Sequence, residues 1–120
     1  MQEIKLETIL SYKIKPRKDY LLGGFYMIKN IKTNKSYIGK SIDYLARLKQ
    51  HLYKSSSKNP IDSELKINLN DFKFYLLGRY VDYDINFFNR KLEIIIEHKF
   101  IKTHQSYYPS GYNISYYEHI

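Results

Sequence analysis

A chain of 120 residues holds one domain with one modest core and excludes two. Lys and Arg number 20 against 12 Asp and Glu, a formal net charge of +8, so the field outside the protein attracts polyanions: nucleic acid first, an acidic membrane surface second. The absence of cysteine excludes disulfides and thiolate zinc sites, leaving oxygen or imidazole ligands for any metal, and no stretch approaches the roughly 18 apolar residues of a membrane span.

Residues 1–22 read as a basic arm. Ile4, Leu6 and Leu10 mark a short extended segment, and Pro16 breaks it inside KIKPRKD, where Lys13, Lys15, Arg17 and Lys18 are candidate phosphate contacts. The opening MQEIKLETIL lacks the charged-then-apolar order of a signal peptide, so an intracellular, cytoplasmic protein is expected. The domain proper is expected over 23–120. FYMI and SYIG are β-prone runs on either side of Thr33, Asn34 and Lys35, which predicts a hairpin with Asn34 in the turn.

After Gly39 the period becomes helical. Ser41 or Asp43 stands where an N-cap belongs, Leu45, Leu48 and Leu52 form one stripe, and Arg47 and His51 lie four apart on another. SSSKNP ends that helix and IDSELKINL predicts a second, short one. DFKFYLLGRYV sets Phe72, Phe74 and Leu76 against Lys73, Tyr75 and Leu77, the alternation of a third strand. NRKLEIIIEHKFIKTHQ is the strongest helical pattern; SYYPSGYNISYY, with Pro109, Ser110 and Gly111, makes a turn before a short extended tail. The expected class is α/β of the α+β kind: a small three-stranded antiparallel sheet flanked by helices.

The last helix carries a conflict. At roughly 100° per residue, Lys91, His98 and Lys102 share one side, which must be wet. Glu93 and Glu97 fall opposite, between Leu92, Ile96 and Phe100 on one flank and Ile94 and Ile101 on the other, so burying the apolar surface drags carboxylates inward. An isolated buried carboxylate costs several kcal/mol or protonates, so an arginine, a lysine or a divalent cation should meet at least one of them. Arg90 is one turn from Glu93 and could pair with it or with Glu97. The other reading is a metal ligand: Mg²⁺ needs only one or two protein carboxylates, with water and substrate phosphate completing its octahedron.

Taken together, these runs resemble the GIY-YIG nuclease family. GFY at 24–26 stands at its first signature and YIG at 37–39 matches the second. KSIDYLARLKQH resembles the first turns of the family's helix, with Arg47 at its arginine and His51 one turn on; in EHKFI, Glu97 matches its metal-binding glutamate, and GYNI puts Asn113 at its late asparagine. The resemblance spans 24–114. Phe25 replaces the commoner isoleucine, residues 1–22 have no counterpart, and a phage or mobile-element origin fits the family.

The resemblance implies a GIY-YIG-like fold and a metal-dependent DNA endonuclease using Mg²⁺ or Mn²⁺. Glu97 would hold the cation, Arg47 and Lys40 would meet the phosphate, Tyr26 or Tyr37 would deprotonate a water, and His51 would relay the proton. Gly39 would permit close approach, and Asn113 would tie the C-terminal segment to the site. DNA is the expected partner and no membrane is; specificity should be low, or supplied by a partner or a homodimer mate. The alternative is a non-catalytic nucleic-acid-binding module on the same fold.

Overall fold

In a computed structural model of the chain, residues 1–15, 20–53 and 59–114 are described. In chain order the elements are β1 (Gln2–Ile4), α1 (Leu6–Ser11), β2 (Gly24–Asn30), β3 (Ser36–Ser41), α2 (Tyr44–Tyr53), α3 (Pro60–Ile67), β4 (Phe72–Arg79) and α4 (Lys91–His104), with single 3-10 turns between some of them. The strands form one antiparallel sheet in the order β1-β4-β2-β3.

The sheet is covered on both faces, and alternation along β2 sends side chains to each in turn. Tyr26 and Ile28 join Phe74 and Leu76 of β4, Leu48 of α2, Ile61 and Leu65 of α3 and Ile9 of α1 in the larger core. Met27 and Ile38 pack on Ile101 of α4, and Phe25 packs with Tyr80 and Ile85 beside Phe100. Being buried on both sides, β2 reads as a continuous apolar run, whereas β4 keeps the alternation that the sequence shows. Each such aliphatic side chain contributes about 1.5–3 kcal/mol by leaving water.

Local chemistry sets the element ends. Asn34 takes the left-handed turn conformation at φ 66°, and the Asn30 side chain accepts from the amides of Lys32 and Thr33 at 3.0 and 3.1 Å. Asp43 caps α2 by accepting from Ala46 N at 3.1 Å, with Ser41 Oγ bracing it. Asn59 caps α3 by accepting from Ile61 N at 3.2 Å, and Pro60 opens the helix. Gln105, at φ 52°, ends α4.

The N-terminal region and the sheet depart from expectation: Leu6 and Leu10, expected in an extended segment with Ile4, lie in helix α1. The sheet has four strands rather than three, because β1 pairs with the outer side of β4, Gln2 opposite Leu76 and Ile4 opposite Phe74. The segment expected as an arm therefore enters the domain: Ile9 is fully buried, Tyr12 Oη donates to Asp43 at 2.8 Å, and Lys49 Nζ donates to Tyr12 O at 2.8 Å. Three residues with a single buried side chain show no alternation to read, and the unpaired edge of β4 supplies the drive to add them. Lys13 and Lys15 are exposed beyond α1; Arg17, Lys18, the break at Pro16 and the tail from 115 on lie outside the described residues.

Helix α4 turns Glu93 and Glu97 inward, 6% and 5% exposed, as its pattern requires. The flank assigned to Ile94 is not buried, however. Ile94 is 37% exposed and its neighbour Ile95 51%, because the helix rests on β3 mainly through Ile101 and Phe100.

Candidate active site

Pairing β2 with β3 puts Tyr26 opposite Gly39 and Ile28 opposite Tyr37, so both tyrosines project from the face that carries α2 and α3. Their rings lie 6.4 Å apart. A Cβ at residue 39 would overlap the Tyr26 hydroxyl, so the glycine makes room for the tyrosine's own ring to cross β3. His51 completes an aromatic trio, its ring 5.7 Å from Tyr26 and 5.4 Å from Tyr37, each edge-on.

His51 is 1% exposed and bonded on both sides. Its Nε2 lies 2.8 Å from Tyr26 Oη and its Nδ1 2.5 Å from Asp62 Oδ1. Asp62, itself buried, comes from the first turn of α3. Arg47 reaches the Tyr26 hydroxyl from the same helix as His51 and donates to Gln50 Oε1 at 3.0 Å, while Asn59 hydrogen-bonds the Tyr37 hydroxyl. Asp62 and Asn59 escaped the sequence reading. An acidic residue behind an Asn-Pro cap is the ordinary complement of a helix N-terminus, so no local signal separates this one from a dipole partner.

The electrostatics follow from burial. Burial, and then the neighbouring Tyr37, hold the Tyr26 phenol well above its usual range; Arg47 pulls it down and Glu97 pushes it further up. Burial likewise raises Tyr37, opposed by the Asn59 hydrogen bond and Arg47 and reinforced by Glu97 and Asp62. Both tyrosines thus feel the Glu97 carboxylate, which reaches them from α4.

Lys40 stands opposite Phe25 and so projects to the α4 face, where it faces Glu97. Desolvation drives the Glu97 carboxyl from 4.5 up to about 7, with Lys40 opposing and Glu93 adding to the rise. Its Oε1 is buried without a hydrogen-bond partner. Glu93 has the positive neighbour expected of it, Arg90 Nε at 3.7 Å, although its Oε1 also lacks a hydrogen bond.

A buried, incompletely compensated carboxylate oxygen is the donor a hard cation seeks, so Glu97 fits a Mg²⁺ or Mn²⁺ site. Among the described residues no group of three or more His, Asp or Glu converges. β3 is the edge strand, with Tyr26, Tyr37, Arg47 and His51 on the α2 face and Lys40 and Glu97 on the α4 face, and Glu97 is near enough to act electrostatically on both tyrosines. Asn113 holds that edge. Its Oδ1 accepts from Ile38 N at 2.9 Å and Ser106 Oγ at 2.6 Å, and its Nδ2 donates to Ile38 O at 2.9 Å. Lys13 and Lys15 stand exposed outside this group. No helix among the described residues is long and apolar enough to cross a membrane.

Comparison with known proteins bears on the family and the fold. No curated protein sequence matches the chain significantly. A solved structure, the catalytic domain of the homing endonuclease I-TevI, superposes with a TM-score of 0.61 at 29% identity, covering 77% of this chain and 97% of that one. Residues 22–113 match the profile of the GIY-YIG catalytic domain, and with most of its length in that match the chain belongs to the GIY-YIG nuclease family.

Proposed function

We propose that the protein is a divalent-metal-dependent DNA endonuclease, with low sequence preference or with specificity lent by a partner or a second copy. What supports the reading is a tyrosine bonded to a buried histidine together with a buried carboxylate oxygen that has no hydrogen-bond partner, on a residue that acts electrostatically on that tyrosine. A charge of +8 supplies the attraction to the DNA backbone, and exposed Lys13 and Lys15 extend it.

Hydrolysis of a phosphodiester needs an in-line water, a proton acceptor, charge on the non-bridging oxygens and help for the leaving oxygen. Glu97 would hold the cation, which would supply Lewis-acid charge to offset the negative charge that develops on the phosphate. Arg47 donates to the phosphate with a fixed fork of N–H groups, and Lys40 adds a second positive charge beside it. Tyr26 takes a proton from the water while its own phenolic proton passes to His51 Nε2, so a phenol with a raised pKa never has to ionise alone. The water oxygen bonds to phosphorus, the bond to the leaving oxygen breaks with its electron pair, and that oxygen gains a proton from solvent as His51 returns one. Tyr37, tied to Asn59 instead of to a base, orients the water or the phosphate.

Incubating the protein and its Glu97→Gln variant with supercoiled plasmid, in Mg²⁺, in Mn²⁺ and in EDTA, tests the reading. Relaxed or linear product from the parent alone, and only with metal, is expected. Intact plasmid in every lane with a salt-sensitive gel shift would replace it with the binding module.

A further inference from the structure

We propose that Asp62 is a positioning residue for this chemistry: it holds His51 in the tautomer whose Nε2 carries the lone pair, and so opens a proton path out of Tyr26. The inference rests on the reading above, in which Tyr26 is the group that accepts the water's proton.

A neutral imidazole carries its one proton on either nitrogen, and its hydrogen-bond partners decide which. An ionised carboxylate only accepts. With Asp62 Oδ1 2.5 Å from Nδ1, that nitrogen must carry the hydrogen, which leaves Nε2 as the acceptor facing Tyr26 Oη at 2.8 Å. In the other tautomer Nε2–H would donate to the phenol oxygen, and the phenolic proton would have no acceptor.

Burial makes this choice binding. His51 is 1% exposed and Asp62 2%, so the imidazole sits away from bulk solvent with Asp62 on one nitrogen and Tyr26 on the other. The same carboxylate faces the imidazolium that forms when His51 receives the proton, a charge that would otherwise be stranded among Tyr26, Tyr37 and the larger core. The local chain fixes Asp62 in turn: its own amide donates to Asn59 O at 3.2 Å, and Asn59 and Pro60 start the helix that presents it. The three residues come from β2, α2 and α3, so the path exists only in the folded domain.

The test pairs Asp62→Asn with side-chain ¹⁵N NMR of His51. The amide keeps the shape of the carboxyl but can donate its N–H to Nδ1, which favours the opposite tautomer. The parent should show His51 protonated on Nδ1, and the variant on Nε2. Single-turnover cleavage by the folded variant should fall on the order of 10²–10⁴-fold, by analogy with the same exchange in a Ser-His-Asp triad, with KM for DNA unchanged. A parent His51 protonated on Nε2, or a folded variant cutting within about threefold of the parent, would overturn the proposal. Should the variant not fold, the parent spectrum alone decides. Should the parent cut no DNA, the nuclease mechanism fails, while the two spectra still report whether Asp62 sets the tautomer.

Discussion

Replacing Glu97 by glutamine should destroy cleavage and strengthen the fold, and the size of the second effect can be worked out. Burial lifts the carboxyl from 4.5 to about 7, so in the folded state it keeps its proton across a range where the unfolded chain has lost it. The sign follows: parent stability is unaffected below pH 4.5, falls as pH rises through the interval, and carries the full cost above pH 7. At roughly 1.4 kcal/mol per tenfold change in the proton equilibrium, that cost reaches about 3 kcal/mol. Glutamine has no proton to lose, so its stability lacks this slope. The variant should match the parent at pH 4 and exceed it at pH 8 by about 1–3 kcal/mol, the lower figure applying if the amide's own buried polar atoms lack partners. Urea denaturation followed by circular dichroism from pH 4 to 9, in EDTA, measures the difference. Mg²⁺ should then stabilise the parent, which gains a ligand for its charged carboxylate, and not the variant. A variant less stable than the parent at pH 8, or a difference that does not change with pH, would refute the burial argument.

Three further outcomes follow from the geometry. Arg47→Ala removes a half-exposed guanidinium whose hydrogen bonds go to Gln50 and Tyr26, so denaturation should shift by less than about 1 kcal/mol while single-turnover cleavage drops on the order of 10²–10³-fold. Gly39→Ala drives a methyl into the Tyr26 hydroxyl; thermal melting should show a loss of about 1–3 kcal/mol, and cleavage should fall well beyond what the unfolded fraction explains. Asn113→Ala strips the Ile38 amide and carbonyl and the Ser106 hydroxyl of one partner each, for about 2–4 kcal/mol in urea, and the rate per folded molecule at low temperature should stay within about threefold.

Much of this was legible in the sequence, for identifiable reasons. The hairpin announces itself through two β-prone runs and Asn34, and strand alternation then forces Tyr26 and Tyr37 onto one face. Arg47 and His51 could be placed together because helical spacing is local, and Glu93 and Glu97 were exposed as misfits by the apolar residues around them. β1 could not be seen, since three residues carry no period and its reason for existing is the edge of a strand seventy positions away. Asp62 was invisible for the same kind of reason. Its role depends on α3 packing against α2, a tertiary fact, while its local setting is that of any capped helix. The exposure of Ile94 shows the opposite case: an apolar position in a helical pattern does not guarantee a partner.

The position of β3 explains how so small a sheet can assemble a two-part site. A strand in the middle of the sheet keeps its two faces separate; only an edge lets groups from both sides approach a common point. Here the α2 and α3 side carries the hydrogen-bonded chain of Tyr26, His51 and Asp62, and the α4 side carries Glu97 and Lys40. The two halves already sense each other, since Glu97 raises both tyrosines. Neutralising Glu97, by a cation or by glutamine, therefore removes one of the forces that hold the phenolic protons in place. An open edge is also the weak point of a sheet, liable to pair with another chain. Asn113 answers that liability by occupying both backbone groups of Ile38, which closes part of the edge next to the site while Tyr37 and Lys40 on either side remain half-buried.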